Sequence, residues 1–126
     1  MKADLHNHSY YSDGVLSPTE VIRLASNAGC DLFSLTDHDT TDGIAEAQLE
    51  ADKLNLNLIN GVEISALWRN MAIHILGLGI DIKNDILQTG LESNQKLRKE
   101  RAEKIALGLW RSGIKDALEK TQSFSK

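Results

Sequence analysis

Four histidines and a few acidic residues carry most of the chemistry this chain could perform, and their spacing is not that of scattered surface groups. His6 and His8 flank Asn7, and Asp13 follows five residues after His8. On a strand, alternate side chains share a face, so His6 and His8 would project together from stiff backbone. Two imidazoles so placed can grip a divalent ion, and Asp13 can return an oxygen from the next turn. Alone, such a pair is more often a chance surface feature. Elsewhere His38 stands between Asp37 and Asp39, Glu63 follows a glycine and a valine, and His74 lies in the apolar run 72–78. Asp37 and Asp39 could instead cap a helix, and a lone histidine on an apolar strand is more often a hydrogen-bonded core residue. The joint occurrence favours metal. Imidazole and carboxylate ligands suit divalent Mn, Zn or Fe, and a single cysteine excludes a thiolate cage. Four histidines with three or more carboxylates exceed what one ion needs. Two or three ions are therefore expected, with Glu63 able to bridge a pair about 3.5–4 Å apart.

These groups need elements to place them. Residues 1–8 read as a strand ending in the histidine pair. Ser17, Pro18 and Glu20 form a helix start: a capping serine, proline at the first helical position, and glutamate three after the cap. Val21, Ile22, Leu24, Ala25 and Ala28 supply its apolar stripe, and Gly29 stops it. Residues 31–36 read as a buried strand delivering Asp37 and His38. A second helix is expected over 42–54, with Ile44, Ala45, Ala47, Leu49 and Ala51 for packing. Strands follow at 56–64, irregular at Gly61, and at 72–78. Alternating strands and helices imply an α/β fold with parallel strands, whose working residues lie at the carboxyl ends. Every candidate ligand falls at or near such an end.

From Asn84 the pattern changes to helix, over about 86–118, with a dense charge run from Lys96 to Lys104. Glu100 and Lys104 are four apart in the favourable order, so a solvated face is the default reading. A phosphate or RNA-backbone contact from Arg98, Lys99 or Arg101 is the less favoured one. Trp68 and Trp110 read as packing groups, since no aromatic interleaving surrounds them. The tail 121–126 is polar.

With 41% hydrophobic and 25% charged residues the composition is that of an ordinary globular protein. A net charge of -4 argues against a general nucleic-acid or anionic-membrane binder, although bound cations would supply positive charge locally. No apolar run approaches the ~20 residues of a membrane span, and no leader pattern opens the chain. Cys30, the one cysteine, fits a reducing cytoplasm and reads as a small packed residue at a helix-to-strand turn rather than a nucleophile.

The segments DLHNHSYYSDG (4–14), SLTDHDTTDG (34–43), GVEIS (61–65) and HILGLGID (74–81), in this order and spacing, resemble the PHP (polymerase and histidinol phosphatase) family. The similarity is greatest to its bacterial branch of nucleotide phosphatases and 5′-3′ exoribonucleases, over residues 2–82. It implies a distorted (β/α)7 barrel with a multinuclear, commonly manganese, centre. In that family His6 and His8 would bind one ion shared with Glu63, Asp13 and His38 a second, and His74 with Glu63 a third. Asp37 would orient ligands or handle a proton. The family also draws ligands from a later part, including an Asp-x-His pair, and this sequence holds no fifth histidine. The resemblance therefore implies part of a barrel: residues 1–82 its N-terminal metal-binding portion, and 83–126 the start of a helical insertion. A sheet edge left uncovered would invite oligomerisation. The expected activity is metal-dependent hydrolysis of phosphate esters of nucleotides or short RNA 5′ ends. A non-catalytic metal-binding remnant and a histidinol phosphate phosphatase are the alternatives.

Overall fold

The computed structural model describes residues 1–123; Phe124, Ser125 and Lys126, which end the polar tail and the 83–126 segment, lie outside the described residues. Eight elements follow in order: β1 (Ala3–Asp4), α1 (Pro18–Asn27), β2 (Leu32–Leu35), α2 (Ile44–Leu54), β3 (Asn57–Trp68), β4 (Met71–Leu78), α3 (Asp85–Arg111) and α4 (Ala117–Gln122). The strands form one curled sheet in the order β1-β2-β3-β4, a half-barrel of mixed α/β type. β1, β2 and β3 run parallel, α1 crossing from β1 to β2 and α2 from β2 to β3. β4 does not. It pairs antiparallel with β3 through the two-residue turn Arg69–Asn70, both at positive φ, which corrects the expectation of parallel strands throughout.

The helix signals translate directly. Ser17 accepts from the Glu20 backbone N–H while Glu20 accepts from that of Ser17, completing the capping box. At the other end Gly29 adopts φ +72°, Gly29 N donates to Ser26 O, and Cys30 N donates to Ala25 O, the paired bonds of a Schellman stop. Ile22 and Ala25 of α1, Phe33 and Leu35 of β2, Ala47 and Ala51 of α2, and Leu56 make the core, with Val21, Cys30 and Leu58 packed against it. Leu24, Ala28, Ala45 and Leu49 were expected in that packing and are exposed instead. Buried Glu50 on α2 accepts from Arg23 of α1 at 2.7 Å and Lys53 at 2.9 Å, tying the two helices on the core side of the sheet.

Several boundaries moved for identifiable reasons. The strand expected over 1–8 is two residues long because Thr36 breaks the ladder: its hydroxyl accepts from Asn7 N, and its own N–H donates to Asn7 O at 2.8 Å. Gly61 is no bulge. A Cβ there would collide with Ser34 Oγ and with Thr36 Cγ2, so glycine lets β3 pass beside β2 as it changes partner to β4. The expected helix over 86–118 breaks after Arg111, where Gly113 and Asp116 take positive φ before α4 begins. Trp68 and Trp110, read as packing groups, are 58% and 59% exposed, Trp68 lying under the Arg69 guanidinium at 5.6 Å.

Candidate metal centre

The open end of β1 to β3 gathers the candidate ligands around Glu63. Glu63 stands on β3 just past the stretch paired with β2, and its backbone N–H donates to Asp37 O while its carbonyl accepts from Asp39 N. Those bonds fix the loop that carries His38. His6 and His8 lie beyond β1 rather than on it, yet the Thr36 bonds keep Asn7 alongside β2 and both rings turn to the same carboxylate. His74 sits in the middle of β4, opposite Ser65 and diagonal to Glu63, because the hairpin brings it back antiparallel.

The distances are short. Glu63 Oε2 lies 2.8 Å from His6 Nε2, 3.1 Å from His8 Nε2 and 3.6 Å from His38 Nε2, while Oε1 lies 2.9 Å from His74 Nδ1. Asp13 Oδ1 is 3.4 Å from His8 Nδ1, and its Oδ2 is 3.6 Å from His38 Nε2. The loop that brings Asp13 back depends on Gly14, whose N–H donates to Ser9 O and whose missing Cβ would overlap the His8 carbonyl. Three sets result: His6, His8, Glu63; His8, Asp13, His38; and His38, Glu63, His74, the ligand atoms of each within 4.8 Å of one another. With bonds of about 2.0–2.2 Å, ligands on opposite sides of one ion lie about 4.2 Å apart, so each set has the size of a single-ion site.

The electrostatics fit cations better than a proton-only network. Glu63 is 5% exposed, and among the described residues its charged-pair partners are imidazoles only. A buried carboxylate needs a partner or a metal. Burial pushes its carboxyl up, but the His6 bond and the nearby imidazoles outweigh this and hold it below the usual range. His38 is shifted down, chiefly by burial, against the opposing pull of Glu63. A neutral imidazole beside an ionised carboxylate is the protonation state a divalent ion requires. The buried Nδ1 of His38 has no hydrogen-bond partner, and its ring packs between those of His8 and His74.

Asp37 does not face the ligand atoms. It is buried, and its oxygens accept from Ser9 N, Ser9 Oγ and Ser12 Oγ, each at 2.7 Å, pinning the turn between His8 and Asp13. Sequence reading missed those two serines, and it missed Asp39. Asp39 holds φ +54° and is fully buried, accepting from Ser65 N, Ser65 Oγ, Asn94 Nδ2 and Arg98 Nε. Burial raises its pKa, but these bonds win and keep it below the usual carboxylate range. Arg98, though 43% exposed on this solvated face, also sews α3 to the His38 loop, with Gln95 Nε2 adding a bond to Asp39 O. The i, i+4 spacing of Asn94 and Arg98 was the available signal, with Arg98 hidden within the charge run and Asn94 just before it.

The PHP domain matches residues 4–110, from the first candidate segment through most of α3. The chain belongs to the PHP domain family. Relatives within reach of it include a 5′-3′ exoribonuclease of Haemophilus influenzae, 44% identical over 94% of this chain and 43% of its own length. A 3′,5′-nucleoside bisphosphate phosphatase of Chromobacterium violaceum is 46% identical over 88% of this chain and 39% of its own. A solved structure from Chromobacterium violaceum, described as an amidohydrolase with bound sulfate and no metal, superposes with a TM-score of 0.95 at 40% identity, covering 100% of this chain and 44% of that one. The chain thus spans about two-fifths of the length of the relatives it matches. No described helix is long and apolar enough to cross a membrane.

Proposed function

We propose that this chain forms the metal-binding wall of a phosphoesterase that hydrolyses phosphate esters of nucleotides or short RNA 5′ ends. The observation that carries the reading is the convergence of four imidazoles on the buried, otherwise unpaired Glu63. The relatives' own substrates, a nucleoside bisphosphate and RNA, support the substrate class. His6, His8 and Glu63 would hold one divalent ion; His8, Asp13 and His38 a second; His38, Glu63 and His74 a third. Manganese fits the mixed nitrogen and oxygen donors, as zinc or iron would. Such ions supply Lewis acidity and neutralise charge on phosphoryl oxygens. The chain's own part is to aim the donors. Glu63 fixes four rings at once, and Asp37 acts as a positioning residue, its oxygens already engaged by the two serines that shape the Asp13 turn. A lone cysteine supports work in the cytoplasm, where it stays reduced.

Titrating the chain with Mn²⁺, and following phosphate release from adenosine 3′,5′-bisphosphate, tests this. Binding of at least two ions, lost in Glu63→Gln with the far-UV circular dichroism unchanged, is the expected result. A folded chain that takes up no divalent ion would overturn it, and ion binding without turnover would favour the non-catalytic reading.

A further inference from the structure

The polar side chains of α3 converge on the residue that follows a candidate ligand. Leu91 is the helix's buried position, and Gln88 Nε2 donates to Thr41 Oγ1 at 3.0 Å and to Ile82 O at 2.8 Å. One to two turns further on, the bonds meet at Asp39 and Ser65. Asn94 Nδ2 donates to Asp39 Oδ1 at 2.9 Å and to Ser65 O at 2.8 Å. Gln95 Nε2 reaches Asp39 O at 2.8 Å, and Arg98 Nε reaches Asp39 Oδ2 at 2.6 Å.

Asp39 directly follows His38, and its backbone is held in an unfavourable place. A non-glycine residue keeps φ +54° only where its surroundings over-determine it. Here they do. Its N–H donates to Glu63 O at 2.9 Å, its carbonyl accepts from Gln95, and both carboxylate oxygens accept from Ser65 as well as from α3.

His38 requires support of this kind. A metal-ligating imidazole ordinarily donates its other ring N–H to a carboxylate or carbonyl, which fixes the ring. His38 Nδ1 is buried without such a partner, so the ring takes its aim from its backbone and from packing between His8 and His74. His6 and His8 are placed by different bonds, those of Thr36 to Asn7 and of Asp37 to Ser9 and Ser12. These bonds do not involve α3. Anchoring a helix would explain the contacts to Thr41 and Ser65. It would not explain a left-handed residue, with its polar atoms engaged, beside a ligand whose ring has no hydrogen bond at its buried nitrogen.

We propose that Asp39 is a positioning residue through which α3 aims His38, so that the two ligand sets containing His38 depend on α3 docking and the set His6, His8, Glu63 does not. The inference rests on the phosphoesterase reading for the ions themselves and adds which element governs which of them. Such coupling is reciprocal: ions on His38 tighten α3 by the factor that α3 tightens them.

The double variant Asn94→Ala, Arg98→Ala tests it, since it loosens the grip while leaving every ligand and Asp39 in place. Far-UV circular dichroism checks that it folds. In EDTA, long-range ¹H–¹⁵N spectra of the four imidazoles should show the His38 signals displaced or broadened and those of His6 unmoved. Asn94→Ala with Arg98→Lys, which restores a cation beside Asp39, should return the His38 signals toward their places. In a Mn²⁺ titration followed by electron paramagnetic resonance, the double variant should keep one ion at its original affinity and bind the others about fivefold or more weakly. Deuterium exchange of the α3 amides should slow on adding Mn²⁺ to the unsubstituted chain and to His6→Ala, but not to His38→Ala. Imidazole signals that move together or not at all overturn the proposal, as does an even loss of affinity across the ions. A folded chain that takes up no Mn²⁺ would sink the phosphoesterase reading, whereas the spectra in EDTA decide separately whether α3 aims His38.

Discussion

At Glu63, the chain places a carboxylate where water barely reaches and surrounds it with rings that are neutral unless protonated. Replacing it by glutamine removes the charge but keeps the shape, so the loss should fall on cations rather than on folding. Affinity for Mn²⁺ is expected to drop well over tenfold in a titration followed by electron paramagnetic resonance. Asp37→Asn tests a different role. Its oxygens hold Ser9 and Ser12 rather than an ion, so Mn²⁺ affinity should fall by roughly 10–100-fold, as for groups that orient ligands, while the number of ions bound stays the same. Asp39 gives the pH signature. Its folded pKa lies below the usual carboxylate range, so its contribution is fully present above that range and fades as pH falls through the depressed native value. Asp39→Asn should cost about 2 kcal/mol at pH 7, from loss of bonds to a charged acceptor, and should flatten the acid limb of stability in urea melts taken between pH 5 and 2.

Among the elements, the sequence carried most clearly what is local. The Ser17–Glu20 box and the Gly29 stop depend on residues a few positions apart, and both ends of α1 fell where those signals lie. Ser17→Ala should cost about 1 kcal/mol in thermal denaturation. The hairpin was illegible for the opposite reason. Arg69–Asn70 makes a two-residue turn without the glycine that usually announces one, and antiparallel pairing is decided by which edge of β3 is free, a tertiary fact. His74 Nδ1 nonetheless lies 2.9 Å from Glu63 Oε1, because the antiparallel hairpin leaves the two on one face of the sheet. Gly61 shows how a residue can be noticed and misread: flagged as an irregularity, it marks a close approach of β3 to Ser34 and Thr36. Gly61→Ala should destabilise by about 1–3 kcal/mol through overpacking and should weaken Mn²⁺ binding as Glu63 shifts, both visible in melts with and without the ion.

For the molecule as a whole, family likeness carried the half-barrel, while the role of α3 needed coordinates. A run of mixed charge reads as solvent-facing until Asp39, buried and distant in sequence, is seen to accept from it. Ligand linkage then sets a global expectation. Mn²⁺ at a hundred times its dissociation constant should stabilise the chain by about 2.7 kcal/mol per site, raising the melting temperature reversibly, with EDTA restoring the original value. There is also a topological reading of the same cluster. His6 and Glu63 meet although 57 residues separate them, so an ion held between them closes a loop spanning almost half the chain. By the chain-entropy relation used for disulfides, a cross-link of that span removes about 4 kcal/mol of freedom from the unfolded ensemble. In a chain with one cysteine, the metal would be the only clasp of that kind the described residues could form, and shedding it would loosen the molecule as reduction loosens a secreted protein.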